Sequence, residues 1–100
     1  MSRKITTEAI SAFELRKPFK KSNMSVTIEE GITYLKLHGN KIAAMLSDGR
    51  VWISNAGWAT TTTKERLNGF QFVRIHQKNF QWYLNGNQWD GTPTYIDTTW

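Results

Sequence analysis

One hundred residues, 39% of them apolar and 21% charged, suffice for one modest core but not for a catalytic domain joined to a cofactor domain, and no apolar run is long enough for a membrane span. The absence of cysteine excludes disulfides and thiolate chemistry, and two histidines exclude a histidine-rich metal site. The net charge of +5 is concentrated early: residues 1–21 carry six cations, Arg3, Lys4, Arg16, Lys17, Lys20 and Lys21, against Glu8 and Glu14, a balance that attracts polyanions or simply keeps a small protein in solution.

The spacing predicts a first helix over 7–17, with Thr6 as N-cap, Glu8 in the first turn, Ile5 set against Ile10, and a buried face of Ala9, Ile10, Phe13 and also Ala12 and Leu15. Pro18 ends it, and Arg16 and Lys17 complement the negative end of the helix, a structural reason for two of the cations. Residues 20–23 read as a polar loop. From Met24 the period changes to two: Met24, Val26 and Ile28 face one side, a turn follows at Glu30-Gly31, and the return over 32–38 puts Thr33, Leu35 and Leu37 opposite Tyr34 and Lys36. Gly39-Asn40 is a hairpin turn into 41–46, with Ile42, Ala44 and Leu46 on one face; Asp48-Gly49 turns into 50–54, with Val51 and Ile53 opposite Trp52.

Next comes a short helix capped by Thr62, with Glu65 reaching back to the cap, Leu67 and Phe70 packed inward, Lys64, Arg66 and Asn68 outward, and Gly69 as its left-handed stop. Residues 71–77 then alternate, Lys78-Asn79 turns the chain, and 80–84 returns with Phe80, Trp82 and Leu84 on one face. A short edge strand over 94–96 follows Pro93, and residues 1–4 and 97–100 are expected to fray. The expected fold is α+β in one domain over 1–100: a four-strand antiparallel meander, a short helix and a hairpin, with the N-terminal helix packed on the sheet.

Chemistry is thin. Glu29 and Glu30 are the only adjacent carboxylates and point to opposite faces of a strand, while His38 and His76 stand alone at strand ends, so neither an enzyme nor a cofactor is expected. No metal-ligand cluster and no phosphate loop is legible. The aromatics say more, because five tryptophans exceed what a core of this size readily encloses. Trp52 and Tyr34 share a sheet face with Lys36 and Arg74, a mixture that stacks unpaired bases; the competing reading makes that face a second core layer under a helix. At the second helix, Thr62 and its neighbouring threonines with Lys64 and Arg66 form a candidate phosphate contact. The order of helix, strands and helix resembles a double-stranded-RNA-binding domain in order alone, since four strands, not three, separate the helices.

The run Leu37-His38-Gly39-Asn40 with Ile42-Ala43, then Gly57-Trp58, Thr62-Thr63-Lys64, Arg66-Leu67-Asn68 and Gln77-Lys78, resembles small proteins encoded in tailed-bacteriophage genomes, over roughly residues 5–91. The resemblance implies a context and no ligand: an accessory protein in the cytoplasm of a bacterial host, a location that also fits the polar N-terminal residues. Two functions are expected to compete. One is binding of nucleic acid through Arg16, Lys17, Lys20, Lys21, Lys36, Lys64, Arg66 and Arg74, with Trp52, Trp58 and Thr62; the other is a protein-binding module or inhibitor directed at a host protein, for which tryptophan and arginine are equally good anchors. A homodimer through an aromatic edge over 80–84 is left open, and no membrane partner is expected.

Overall fold

The computed structural model describes residues 4–96. The first helix, α1 (Lys4–Glu14), starts three residues before the expected one, so Lys4 is helical and Thr6 lies inside the helix rather than capping it. Thr6 is wholly buried there, and its hydroxyl donates to both carboxylate oxygens of Glu65, at 2.9 and 3.0 Å. Arg16, at φ +54°, terminates the helix: Lys17 N–H donates to Ala12 O at 2.9 Å and Arg16 N–H to Phe13 O at 3.1 Å, which is a Schellman motif. The helix is therefore closed before Pro18, and Leu15 is turned out to solvent instead of joining the apolar face. Ala9, Ile10 and Phe13 pack as expected into the core.

Five strands follow in antiparallel succession, β1 (Phe19–Lys21), β2 (Met24–Glu29), β3 (Ile32–Leu37), β4 (Asn40–Met45) and β5 (Val51–Ile53), and the late strand β9 (Thr94–Ile96) adds to β5 at the far edge. The first of these replaces the expected loop, because Phe19 has core to cover and its alternation carries Lys20 and Lys21 along with it. The β3–β4 turn falls one residue earlier than expected, at His38-Gly39 with φ +53° and +81°, and a β-bulge restores the register: Lys36 pairs with Lys41 but Leu35 with Ala43, leaving Ile42 as the extra residue. Beyond the bulge the parity is reversed. Ala43 and Met45, not Ala44 and Leu46, face the core beside Leu35, Val51 and Ile53. Ile28, expected inside, is at the exposed end of β2.

The second helix, α2 (Thr61–Leu67), is capped by Thr60, whose hydroxyl accepts from Thr63 N–H at 3.2 Å. Any of four consecutive threonines is a competent cap; burial of Thr63, Arg66 and Leu67 at helical spacing selects Thr60 over Thr62. Glu65 is thereby freed from a capping box and turned toward α1. Gly69 is not a left-handed stop, since Asn68 closes the helix at φ −68°. Its role is close approach: a Cβ at Gly69 would overlap Thr6 Cγ2 and lie 2.6 Å from Ile10 Cδ1. Asn68 then mimics a strand, accepting from Ile75 N–H at 2.6 Å and donating to Ile75 O at 2.9 Å.

Three short strands, β6 (Ile75–Lys78), β7 (Gln81–Leu84) and β8 (Asn87–Gln88), make a separate antiparallel sheet. Residues 71–74 form no strand, although Val73 is buried as alternation implied; the Asn85 side chain and backbone hold Arg74 instead. Phe80 is the clearest departure. It occupies the β6–β7 turn with Asn79, at φ +66°, and is 95% exposed, while Trp82, Leu84 and Trp89 supply the core.

Candidate functional site

Both helices feed the core on one side of the six-stranded sheet, with Phe13 of α1 and Leu67 of α2 in the same buried cluster as Leu35 and Ile53. The other side is open among the described residues. Strand pairing orders its side chains into two rows. The first runs Lys20, Ser25, Lys36, Lys41 across β1 to β4, and the second runs Thr27, Tyr34, Ala44, Trp52, Tyr95 across β2 to β9. The fully buried Ala44 lies between Tyr34 and Trp52, and Tyr95 extends the aromatic row to the edge with 55% of its surface exposed.

Cations seat on the rings. Lys41 Nζ lies 4.0 Å from the Tyr34 ring centroid, and the Arg50 guanidinium carbon 5.2 Å from that of Tyr95. Two carboxylates hold these cations in place. Glu29 accepts from Lys36 at 3.1 Å and stands 3.9 Å from Lys41; Asp48 accepts from Arg50 Nε at 2.8 Å. Hydrogen bonds from Lys36 and then Thr27 hold the Glu29 carboxyl below the usual glutamate range, and the Arg50 backbone N–H does the same for Asp48. A depressed carboxyl pKa favours the folded arrangement above the ordinary pKa and loses that advantage as pH falls through the lowered one, so the clamp on Lys36 and Lys41 is complete at neutral pH and opens only in acid.

The residues singled out from sequence divide sharply. Lys20, Lys36 and Trp52 meet on this face, and Trp58 stands elsewhere, 58% exposed on the loop before α2. Arg16 is spent on structure, donating from Nη2 to Leu46 O at 2.8 Å, and Lys21 turns to the helix side to pair with Glu8 at 3.1 Å. Lys17 is exposed beyond the end of α1, Thr62 and Lys64 are half-buried on α2, and Arg74 lies exposed just before β6, bonded to Asn85 and away from this face. Arg66 is the correction of substance. Expected on the outside of α2, it is 3% exposed, donating to Thr6 Oγ1 at 3.1 Å and Asn23 Oδ1 at 3.3 Å and paired with Glu65. A short helix wedged between α1 and the second sheet has little outside, so its long side chain runs inward along the interface.

Lys41, Arg50 and Tyr95 belong to the face but not to the expected set. Alternation already sets Lys41 opposite Ile42 and so on this face, but its seat on the Tyr34 ring is a cross-strand contact that pattern alone does not show. Tyr95 is brought in by a pairing between residues more than forty positions apart, for which Pro93 was the only local sign.

A family model described as Kyanoviridae Gp96 protein covers residues 2–100. No curated protein and no solved structure matches.

Proposed function

Because the chain belongs to the Kyanoviridae Gp96 family of bacteriophage proteins, we propose that it is a small, non-enzymatic accessory protein of the host cytoplasm that binds unpaired nucleic acid on the open face of its larger sheet. The observation that carries this reading is the register itself, which sets the row Tyr34, Ala44, Trp52, Tyr95 beside the row Lys20, Ser25, Lys36, Lys41. Stacking on such rings contributes roughly 1–3 kcal/mol per base and is indifferent to sequence, while the lysine row follows the phosphates. Tyr34 and Trp52 are separated by one strand, so roughly 10 Å lies between their Cα atoms, a spacing at which each ring can take a base of its own.

The test is tryptophan fluorescence during titration with single-stranded oligonucleotides at two salt concentrations. Quenching that weakens with salt is expected. Trp52→Ala should cost roughly tenfold or more in affinity, and Lys20→Ala should flatten the salt dependence by about 0.7 in log–log slope, one phosphate contact on a single strand. Absence of binding at low salt would refute the reading.

Glu29→Gln makes a prediction of opposite sign. With the carboxylate gone, Lys36 and Lys41 lose their internal counter-charge, and oligonucleotide affinity at low salt should rise several-fold with a steeper salt dependence. An unchanged affinity would remove these two lysines from the phosphate path.

The alternative, a module that binds a host protein, is favoured by Phe80. A phenylalanine held at positive φ and almost wholly exposed is a ready anchor for a partner's apolar pocket, and that reading requires a stoichiometric complex.

A further inference from the structure

Around the end of the β3–β4 hairpin from the lysine row lies a partly enclosed cleft of about 320 Å³, between the His38-Gly39 turn and the loop that leads into α2. Its floor is apolar, made by Leu37 and Ile42, and one wall is the indole of Trp58. Around the rim stand the His38 ring, the Asn40 amide and the Thr62 hydroxyl, none of which has a side-chain hydrogen-bond partner among the described residues. The volume is at the lower end of ligand pockets, fit for one small flat molecule rather than a peptide or a lipid chain.

The Trp58 wall is fixed in advance. Ala56 and Gly57 turn at φ +54° and +83°; Gly57 N–H donates to Asn55 Oδ1 at 2.8 Å, Trp58 N–H to Asn55 O at 2.8 Å, and Thr60 N–H to Trp58 O at 2.8 Å. The backbone on both sides of Trp58 is thus tied down where it presents a large aromatic ring to solvent. An apolar floor, a stacking wall on a braced backbone and uncommitted donors and acceptors at the rim are the elements with which proteins read a splayed-out base.

We infer that this cleft is a pocket for a single nucleobase, stacked against Trp58 with its polar edge toward His38, Asn40 and Thr62. The inference rests on the nucleic-acid reading above and carries it to a second place. A shallow groove lined by Lys20, Ser25, Lys36 and Gly39 runs from the lysine row to the same hairpin turn whose other flank, His38 and Asn40, borders the cleft. A strand following the lysines reaches the turn and can lower its next base into the pocket. The sheet face then holds the strand without regard to sequence, and the cleft selects at one position.

The experiment uses the unaltered protein labelled for NMR and titrated with free adenosine, guanosine, cytidine and uridine, beside oligonucleotide titrations of the same sample. At least one nucleoside is expected to shift the Trp58 indole signal and the amide signals of His38, Asn40 and Thr62 in the millimolar range. Trp58→Ala, at an exposed position where folding is not at stake, should weaken that binding by roughly tenfold, and Trp52→Ala should leave it unchanged. No shift at these signals with any nucleoside, or shifts that survive Trp58→Ala, would overturn the inference. Oligonucleotide binding that depends on Trp52 while nucleosides leave the cleft untouched overturns the pocket and retains the sheet face. Nucleoside binding at Trp58 without oligonucleotide binding supports the pocket and overturns the sheet face.

Discussion

Arg66→Ala is expected to destabilise the fold by about 3 kcal/mol or more, a large fraction of what a domain of this size possesses. The guanidinium is buried where α1, α2 and the β1–β2 turn meet, through its bonds to Thr6 and Asn23 and its ion pair with Glu65. Deleting it leaves the Thr6 hydroxyl and Asn23 amide short of a donor and takes the Arg66 charge away from the Glu65 carboxylate. The intact pair is no great source of stability: burial of the charge has its own cost, and Arg66 Nε has no hydrogen-bond partner among the described residues. That asymmetry gives a second measurement. The double variant Glu65→Gln, Arg66→Met, which removes both charges and keeps the bulk, should recover most of the loss in urea unfolding. A change below about 1 kcal/mol for Arg66→Ala would mean that the side chain is not held inside. Any affinity change measured on a variant that includes Arg66→Ala therefore reports unfolding as well as phosphate contacts.

Gly91→Ala is expected to cost a comparable amount, about 2–4 kcal/mol, by two routes that add. Gly91 is buried at φ +86°, a conformation that an alanine adopts only with strain, and a Cβ there would overlap the Asn55 side-chain amide. Gly91 O is also the acceptor for Asn55 N–H at 2.9 Å and Ser54 Oγ at 3.0 Å, so this residue anchors the exit from β5. Because Asn55 in turn orders Gly57 and Trp58, the variant should disturb the Trp58 indole environment even where the protein remains folded. Thermal unfolding reads the first effect and the Trp58 NMR signal the second; a Gly91→Ala protein with unchanged midpoint and unchanged indole signal would contradict both.

The meander, the two helices, the N-terminal helix on the sheet and the edge strand at 94–96 were legible because each rests on local signals: period two, turn dipeptides, caps and a proline. What sequence reasoning placed wrongly depends on packing between distant segments. Four threonines offered four caps, and only contact of Thr63 and Arg66 with α1 decides among them. Gly69 reads as a helix stop from its chemistry, and as a close-approach residue only once Thr6 and Ile10 are seen against it. Phe80 reads as a core aromatic by alternation, yet the turn takes it, because Asn79 and Phe80 together make the two-residue connection that leaves Lys78 opposite Gln81. Of the basic residues, Lys36 and Lys41 were recoverable from parity, whereas Lys20 needed β1, which reads as a loop, and Arg66 needed the second helix to be enclosed.

The bulge at Ile42 gives the length of the chain between β3 and β4 a structural consequence. Ile42 is surplus to the pairing of β3 with β4, although its carbonyl accepts from Ser54 N–H at 2.8 Å beyond β5: Lys36 still meets Lys41 and Leu35 still meets Ala43 if it is removed, and Lys41 and Ala43 would then alternate as in a regular strand. What it adds is bulk in the core and part of the cleft floor. A relative one residue shorter between positions 39 and 43 would therefore keep the aromatic and lysine rows in register while losing the floor beneath Trp58. On the function proposed above, a single-codon gap in that place would be expected to spare the binding of a strand and to abolish selection of a base.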